Sequence, residues 1–219
     1  MGQPLVLIYL KIKLVIVGDK MYLVEIGIIV IITASIYLHI SFKQRAVLRN
    51  LAYRDSITKT FNRNGMLYYM KSCKAKRAHA VLYIDLDHFK EINDTWGHET
   101  GDQLLRTATR RIRQATDNSD LIFRVGGDEF IVLVQTKDER QAQKIASAVL
   151  EQLSRPIGIE DRFMVLSASI GVSSSRRGVR LGSNLIKEAD LAMYHAKQKG
   201  RNQIVSANRD GDSPDHRSE

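Results

Sequence analysis

The chain has 219 residues, a net charge of +9 and a single cysteine, Cys73. Its apolar fraction of 44% supports a packed core and excludes a disordered chain. One cysteine excludes an intramolecular disulfide, and the absence of a Cys/His cluster leaves no structural zinc site to expect. The positive charge suits a solvated basic surface, or attraction to an anion such as a nucleotide or a membrane face.

Residues 1–21 are apolar but interrupted by Lys11 and Lys13. A strand, a signal peptide and the last strands of a sensor domain all remain open for them. Tyr22 to Ile40 is predicted as a transmembrane helix. Only Glu25 and His39 break its apolar run, and Tyr22 and Tyr37 lie near its ends. A buried core helix is the competing reading. Lys43, Arg45, Arg49 and Arg54 follow and mark a cytoplasmic side. Residues 41–54 are predicted as a polar linker helix with only a ragged coiled-coil seam.

The domain is expected over residues 55–206, with a polar, disordered tail at 207–219. Asp55 or Ser56 is predicted to cap a helix carrying Phe61, Leu67 and Met70. A strand at Ala80–Ile84 follows. Leu104, Leu105, Ala108, Ile112 and Ala115 then recur at helical steps. Thr136 to Glu139 is expected as a capping box, opening a helix with Ile145, Ala146, Val149, Leu150 and Leu153 on one face. Phe163–Val172 is predicted as a strand. The last helix carries Leu185, Ala189, Met193 and Ala196 and ends at Gly200, with an edge strand at Gln203–Ser206. Alternating strands and helices around one hairpin give a mixed sheet with packed helices.

The hairpin is FRVGGDEFIVLV at 123–134. Gly126 and Gly127 are expected to supply positive φ for a tight turn. Asp128 and Glu129 follow at once. The apolar run from Val81 also ends in carboxylates, Asp85 and Asp87. Alone, the hairpin would be a solvated acidic tip. Two strands that deliver carboxylates to one edge instead call for a divalent cation between them.

GGDEF at 126–130 is accompanied by DSITKTFNR at 55–63, DLDHFKEINDTWGHETGD at 85–102, SASIGV at 167–172 and DLAMYHAKQKGRN at 190–202. From Tyr53 to Ser206 the chain resembles the GGDEF family, the bacterial diguanylate cyclases. The resemblance implies an α+β, ferredoxin-like fold of the kind seen in adenylyl cyclases and polymerase palms. It implies condensation of two GTP into cyclic di-GMP with release of two pyrophosphates, at a homodimer interface. Such chemistry is mostly positioning and charge neutralisation. By the same resemblance Asp85, the Leu86 carbonyl, Asp128 and Glu129 would hold Mg2+ or Mn2+, two per active site. Asp128 and Glu129 are the catalytic candidates, Asp128 being the possible proton acceptor.

Asn93 and Asp102 match the family's guanine readers, and a carboxylate can accept from the guanine N1–H and amine. His98 would line the same pocket. Lys90, Lys197, Arg201 and the backbone at Phe89 would bind the triphosphate, while Gly126 and Gly127 would border the substrate. No nucleic-acid partner is implied. The expected setting is the inner (cytoplasmic) membrane, single-pass, with the catalytic domain in the cytoplasm. A catalytically silent GGDEF module that binds nucleotide or a partner is the alternative. Two departures stand out. Ile57-Thr58-Lys59 and Asn64 alter the first motif. Asp117 stands where the family's inhibitory motif begins with arginine, so product inhibition is not expected, with Asp120 adding a second negative charge.

Overall fold

The structure is a computed structural model that describes residues 28–45, 47–72, 79–136, 138–159, 162–175 and 183–207. Its contacts divide the chain into two units, Met1–Asn50 and Leu51–Glu219. Helix α1 is described at residues 28–45 and 47–53. Its side chains from Ile28 to Ile40 are exposed and, apart from Thr33, Ser35 and His39, apolar, with Ile31 at 70%. No described helix is long and apolar enough to cross a membrane. Residues 22–27 of the expected span, all of 1–21, and the tail from 208 lie outside the described residues.

The second unit is a six-stranded mixed sheet in the order β1-β3-β4-β2-β7-β8. Its strands are β1 (Phe61–Asn62), β2 (His79–Leu86), β3 (Leu121–Arg124), β4 (Glu129–Gln135), β7 (Ala168–Ser174) and β8 (Gln203–Ser206). A separate hairpin joins β5 (Ile157–Ile159) to β6 (Arg162–Met164). The helices are α2 (Arg63–Ser72), α3 (Phe89–Ala115), α4 (Glu139–Leu153) and α5 (Ser183–Gln198).

Strand β2 is buried along its whole length because helices cover both faces of the sheet. Leu82, Ile84 and Leu86 pack with Leu104, Ala108 and Ile112 of α3 and with Ala146 and Val149 of α4. Val81 and Tyr83 face the other way, among Met66 of α2 and Leu185, Ala189 and Met193 of α5. The period-two alternation along a strand makes this division. It also decides the site, since Asp85 continues the Val81–Tyr83 face toward α5.

The sheet departs from the sequence expectations in four places. Phe61 is in a strand, not a helix, and α2 begins at Arg63 with Asn62 Oδ1 accepting the Gly65 N–H at 2.9 Å. Asp55 caps no helix; it closes a turn by accepting from the N–H groups of Ile57 and Thr58 and from the Thr58 hydroxyl. The cap of α4 is Asp138, whose carboxylate accepts from Gln141 N–H at 2.8 Å, while Thr136 donates to the Asp138 carbonyl. The strand expected over 163–172 is two strands, β6 and β7, each with its own partner. The α5 face, the turn at Gly200 and the edge strand β8 match expectation; Arg201 N–H bonds back to the Ala196 carbonyl at 3.1 Å across the helix end.

Gly171 of β7 is where α5 approaches the sheet most closely. A Cβ there would run into the Ala189 carbonyl and the Met193 N–H, both backbone atoms of α5. Gly171→Ala is expected to destabilise the domain by about 3 kcal/mol, because a helix and not a side chain must move. Urea unfolding at neutral pH measures this; a variant as stable as the parent would show that α5 gives way freely.

Candidate functional site

Antiparallel pairing sets Asp85 of β2 directly opposite Glu129 of β4. The Leu86 N–H bonds the Asp128 carbonyl at 3.1 Å, carrying the pairing one residue into the loop. Asp85 is buried, 5% exposed, and Lys197 of α5 places its Nζ 2.7 Å from Asp85 Oδ2. Burial pushes the Asp85 carboxyl up to about 6; Lys197 opposes this, and the charges of Asp128 and Glu129 add to it. Tyr83, two residues earlier on the same face, is driven upward by burial, by the Glu129 and Asp190 charges and by its hydrogen bond to Glu129. Asp85, Asp128 and Glu129 thus lie near one another as the sequence suggested, and Lys197 joins them. Tyr83 and Asp190 are additions, and the period of two from Asp85 back to Tyr83 was the available signal.

The loop at 125–128 is not the tight turn expected. Among the described glycines the left-handed backbone belongs to Gly97 and Gly200, and neither Gly126 nor Gly127 has it. The glycine at 126 serves space instead, since a Cβ there would collide with the Glu129 carboxylate. The Val125 N–H bonds the Glu129 carbonyl at 3.0 Å, and Arg124 grips the loop from below. Its guanidinium donates to the Gly127 carbonyl from Nε at 3.1 Å and Nη2 at 2.7 Å. Its Nη1 lies 3.0 and 3.1 Å from the two carboxylate oxygens of Asp55.

Asp87 lies past the end of β2 and acts on backbone. Ser169 Oγ donates to its Oδ1 at 2.8 Å, and the Asn202 N–H donates to its Oδ2 at 3.1 Å. The second bond holds the left-handed pair Arg201 and Asn202, with φ of 63° and 44°, that turns the chain out of α5. Arg201 is exposed there, directly after the turn glycine. Helix α3 starts at Phe89, which is buried, behind His88 in left-handed backbone, and Lys90 is exposed in its first turn. First-turn N–H groups have no intrahelical acceptor and suit an anion.

Helix α3 is broken at Gly97, with φ 81° and ψ 160°. The kink folds the first segment back so that the Asn93 amide lies against the bare Cα of Gly101, next to Asp102. Any side chain at 101 would displace Asn93. Asp102 is part-buried and lies 3.8 Å from Arg106, while His98 is exposed beside the kink. Asn93 therefore lies against Gly101, the residue directly before Asp102.

Against known proteins, the family profile described as the diguanylate cyclase, GGDEF domain matches residues 52–203. The chain belongs to the GGDEF family. A cyclic di-GMP phosphodiesterase of Pseudomonas aeruginosa, NbdA, is 36% identical over 162 residues, covering 72% of this chain and 21% of the relative. The probable diguanylate cyclase DgcT of Escherichia coli is 35% identical over 170 residues, covering 75% of this chain and 38% of the relative. The chain thus spans well under half the length of these curated relatives. The GGDEF domain of TpbB (YfiN) from Pseudomonas aeruginosa superposes with a TM-score of 0.65 at 34% identity, covering 71% of this chain and 95% of that one.

Within this GGDEF domain the second carboxylate of the turn at 117–120 is buried. Asp120 does not add an exposed charge. It is 2% exposed, and its carboxylate accepts from the N–H groups of Asp117 at 2.9 Å and Gln135 at 3.2 Å. Asp117 is exposed, and no arginine occupies its place.

Oxygen donors suit a hard divalent cation, and the mutual repulsion on Asp85 is what such a cation would relieve. Among the described residues, however, no three acidic, histidine or cysteine side chains converge on one point. Lys197, expected on the triphosphate, instead supplies the positive charge at Asp85.

The raised Asp85 value has a consequence for stability. Its folded value, about 6, lies above the ordinary 3.8, so ionised Asp85 opposes folding at neutral pH. That opposition fades as pH falls through 6 and is gone below 3.8. Asp85→Asn should therefore stabilise the metal-free domain at pH 7 by about 2–3 kcal/mol and flatten this part of the pH profile. Unfolding in chelator at pH 7 and pH 4.5 checks it; a less stable variant at pH 7 would show that the Lys197 pair outweighs burial.

Proposed function

We propose that the chain is a diguanylate cyclase that joins two GTP into cyclic di-GMP and releases two pyrophosphates. The observation that carries this reading is the placement of Asp85 opposite Glu129, with Asp128 in the adjoining loop, at the end of two buried strands. The names of the relatives add support, since diguanylate cyclases are among them. Asn93 and Asp102 read the guanine. An adenine would face Asp102 with an acceptor in place of a donor. Lys90, Arg201 and the N-terminus of α3 hold the phosphates, and Asp87 fixes the turn that presents Arg201.

Mg2+ or Mn2+ would be held by Asp85, Asp128, Glu129 and the Leu86 carbonyl, and would neutralise phosphate charge and acidify the attacking 3′-hydroxyl. Lys197 is the resident cation of the site, within reach of Asp85 and of an incoming phosphate. Asp128 is the residue placed to accept the 3′-hydroxyl proton. Each protomer of a homodimer presents one GTP to the other. The exposed, mostly apolar side chains of residues 28–40 support the membrane anchor expected from the sequence, with the domain on the cytoplasmic side.

A second reading, a silent module that binds nucleotide or a partner, is favoured by one observation: Lys197 already neutralises Asp85. The purified chain incubated with GTP and Mg2+ separates the two readings by release of pyrophosphate and formation of cyclic di-GMP. Asp128→Ala is expected to lower turnover ~100-fold or more without unfolding the domain. Asp102→Ser is expected to weaken the preference for GTP over ATP in a competition assay. Nucleotide binding without turnover in the parent chain would establish the silent module.

A further inference from the structure

A cleft away from Asp85 holds an unneutralised cluster of cations. Arg106, Thr109, Arg110 and Arg113 recur at three- and four-residue steps and share one face of α3. Together with Arg54 and Lys59 of the lead-in segment they line a cleft of about 490 Å³, a size that suits a small ligand. Arg113 Nη1 donates to the Asp120 carbonyl at 2.8 Å, and Arg54 Nη1 donates to the Lys59 carbonyl at 2.8 Å. The Arg54 guanidinium also lies 4.5 Å from the Phe61 ring centre. These contacts fix the cations in place, and of them Arg113 also feels the charge of Asp120.

Carboxylates are spent elsewhere. Among the described residues the one ion pair that these cations make is Arg106 with Asp102, at 3.8 Å. Asp120 lines the cleft, but its two oxygens accept backbone N–H groups. Asp55, in the same segment, is taken by its own turn and by Arg124. Asp117, in the adjoining turn, does not line the cleft. Thr109 lines the cleft as well. Thr109 Oγ1 is buried and has no hydrogen-bond partner. Clustered like charges repel until a counter-charge arrives. Phosphate oxygens match both the guanidinium fork and a hydroxyl donor.

We infer that this cleft binds a phosphate-bearing anion of two or more negative charges, at a place built from none of the residues that surround Asp85. The anion could come free, as pyrophosphate, or attached to a nucleotide; the chemistry of the phosphate is the same.

Calorimetric titration of the full chain tests this, with pyrophosphate in one arm and ATP in the other. Arg110 is exposed, so Arg110→Glu should leave the fold intact, which circular dichroism verifies. The substitution is expected to weaken one set of pyrophosphate sites about tenfold or more, while Lys197→Ala leaves that set unchanged. Arg110-dependent binding of ATP that is tighter than that of pyrophosphate assigns a nucleotide source. Arg110-dependent binding of pyrophosphate alone assigns the free anion. Titrations of both ligands that are the same in Arg110→Glu as in the parent, or that show no heat at all, overturn the inference.

Discussion

A buried carboxylate needs a cation, and the contact between Asp85 and Lys197 is where this domain meets that need. The pair joins the end of the central strand to the last turn of the last helix, elements more than a hundred residues apart in sequence. It settles how deeply α5 lies on the sheet, together with the bare Cα of Gly171 beneath the helix. It also leaves the site electrostatically unfinished. One ammonium faces Asp85 while Asp128 and Glu129 both push against it. Stability is given up where a divalent cation or a phosphate would find its partners, a common property of sites that must bind charge.

Much of the surrounding architecture serves to hold polar groups at the rim of an apolar sheet. The β2–β4 register sets Asp85 against Glu129, and the buried face of β2 leaves neither strand free to slide by one residue without turning its core side chains outward. Asp87 then uses both oxygens to tie the strand end to β7 and to the turn after α5. The kink at Gly97 does the corresponding work in α3, bringing the Asn93 amide against Gly101, next to Asp102 in the chain. Three glycines act here by two different means: Gly97 by its backbone angle, and Gly101 and Gly126 by leaving room for the side chains of Asn93 and Glu129.

The sheet and the acidic cluster were legible in the sequence because their signals are periodic and local. Val81 to Ile84 could only be a strand buried on both sides, and Leu185, Ala189, Met193 and Ala196 could only be one helical face. Other features were hidden because their causes are not local. Phe61 joins a strand only because Phe123 lies beside it in register. Asp55 looks like a helix cap until Arg124, 69 residues away, claims its carboxylate. The glycines at 126 and 127 suggested a left-handed turn, since spacing cannot tell a backbone requirement from a steric one. The helical stretch from Phe89 to Trp96 is polar and short, and it is held by the kink and by Gly101 more than by its own pattern. The cationic face of α3 was visible as Arg110 and Arg113, but without the fold there was no reason to set Arg54 and Lys59 beside them.

Arg124 has one guanidinium and two obligations. With one nitrogen it holds the carboxylate of Asp55, where the chain enters the domain, and with two others it holds the carbonyl of Gly127, next to Asp128. Its guanidinium is planar and rigid, and most of the side chain is buried. It works as a tie rod between the upstream chain and the acidic loop. A shift of Asp55 by as little as an ångström must either stretch two charged hydrogen bonds or draw Gly127 along with it. Strain arriving at the start of the domain therefore has a short, rigid route to the loop, one that passes through a single residue and does not require the sheet to move.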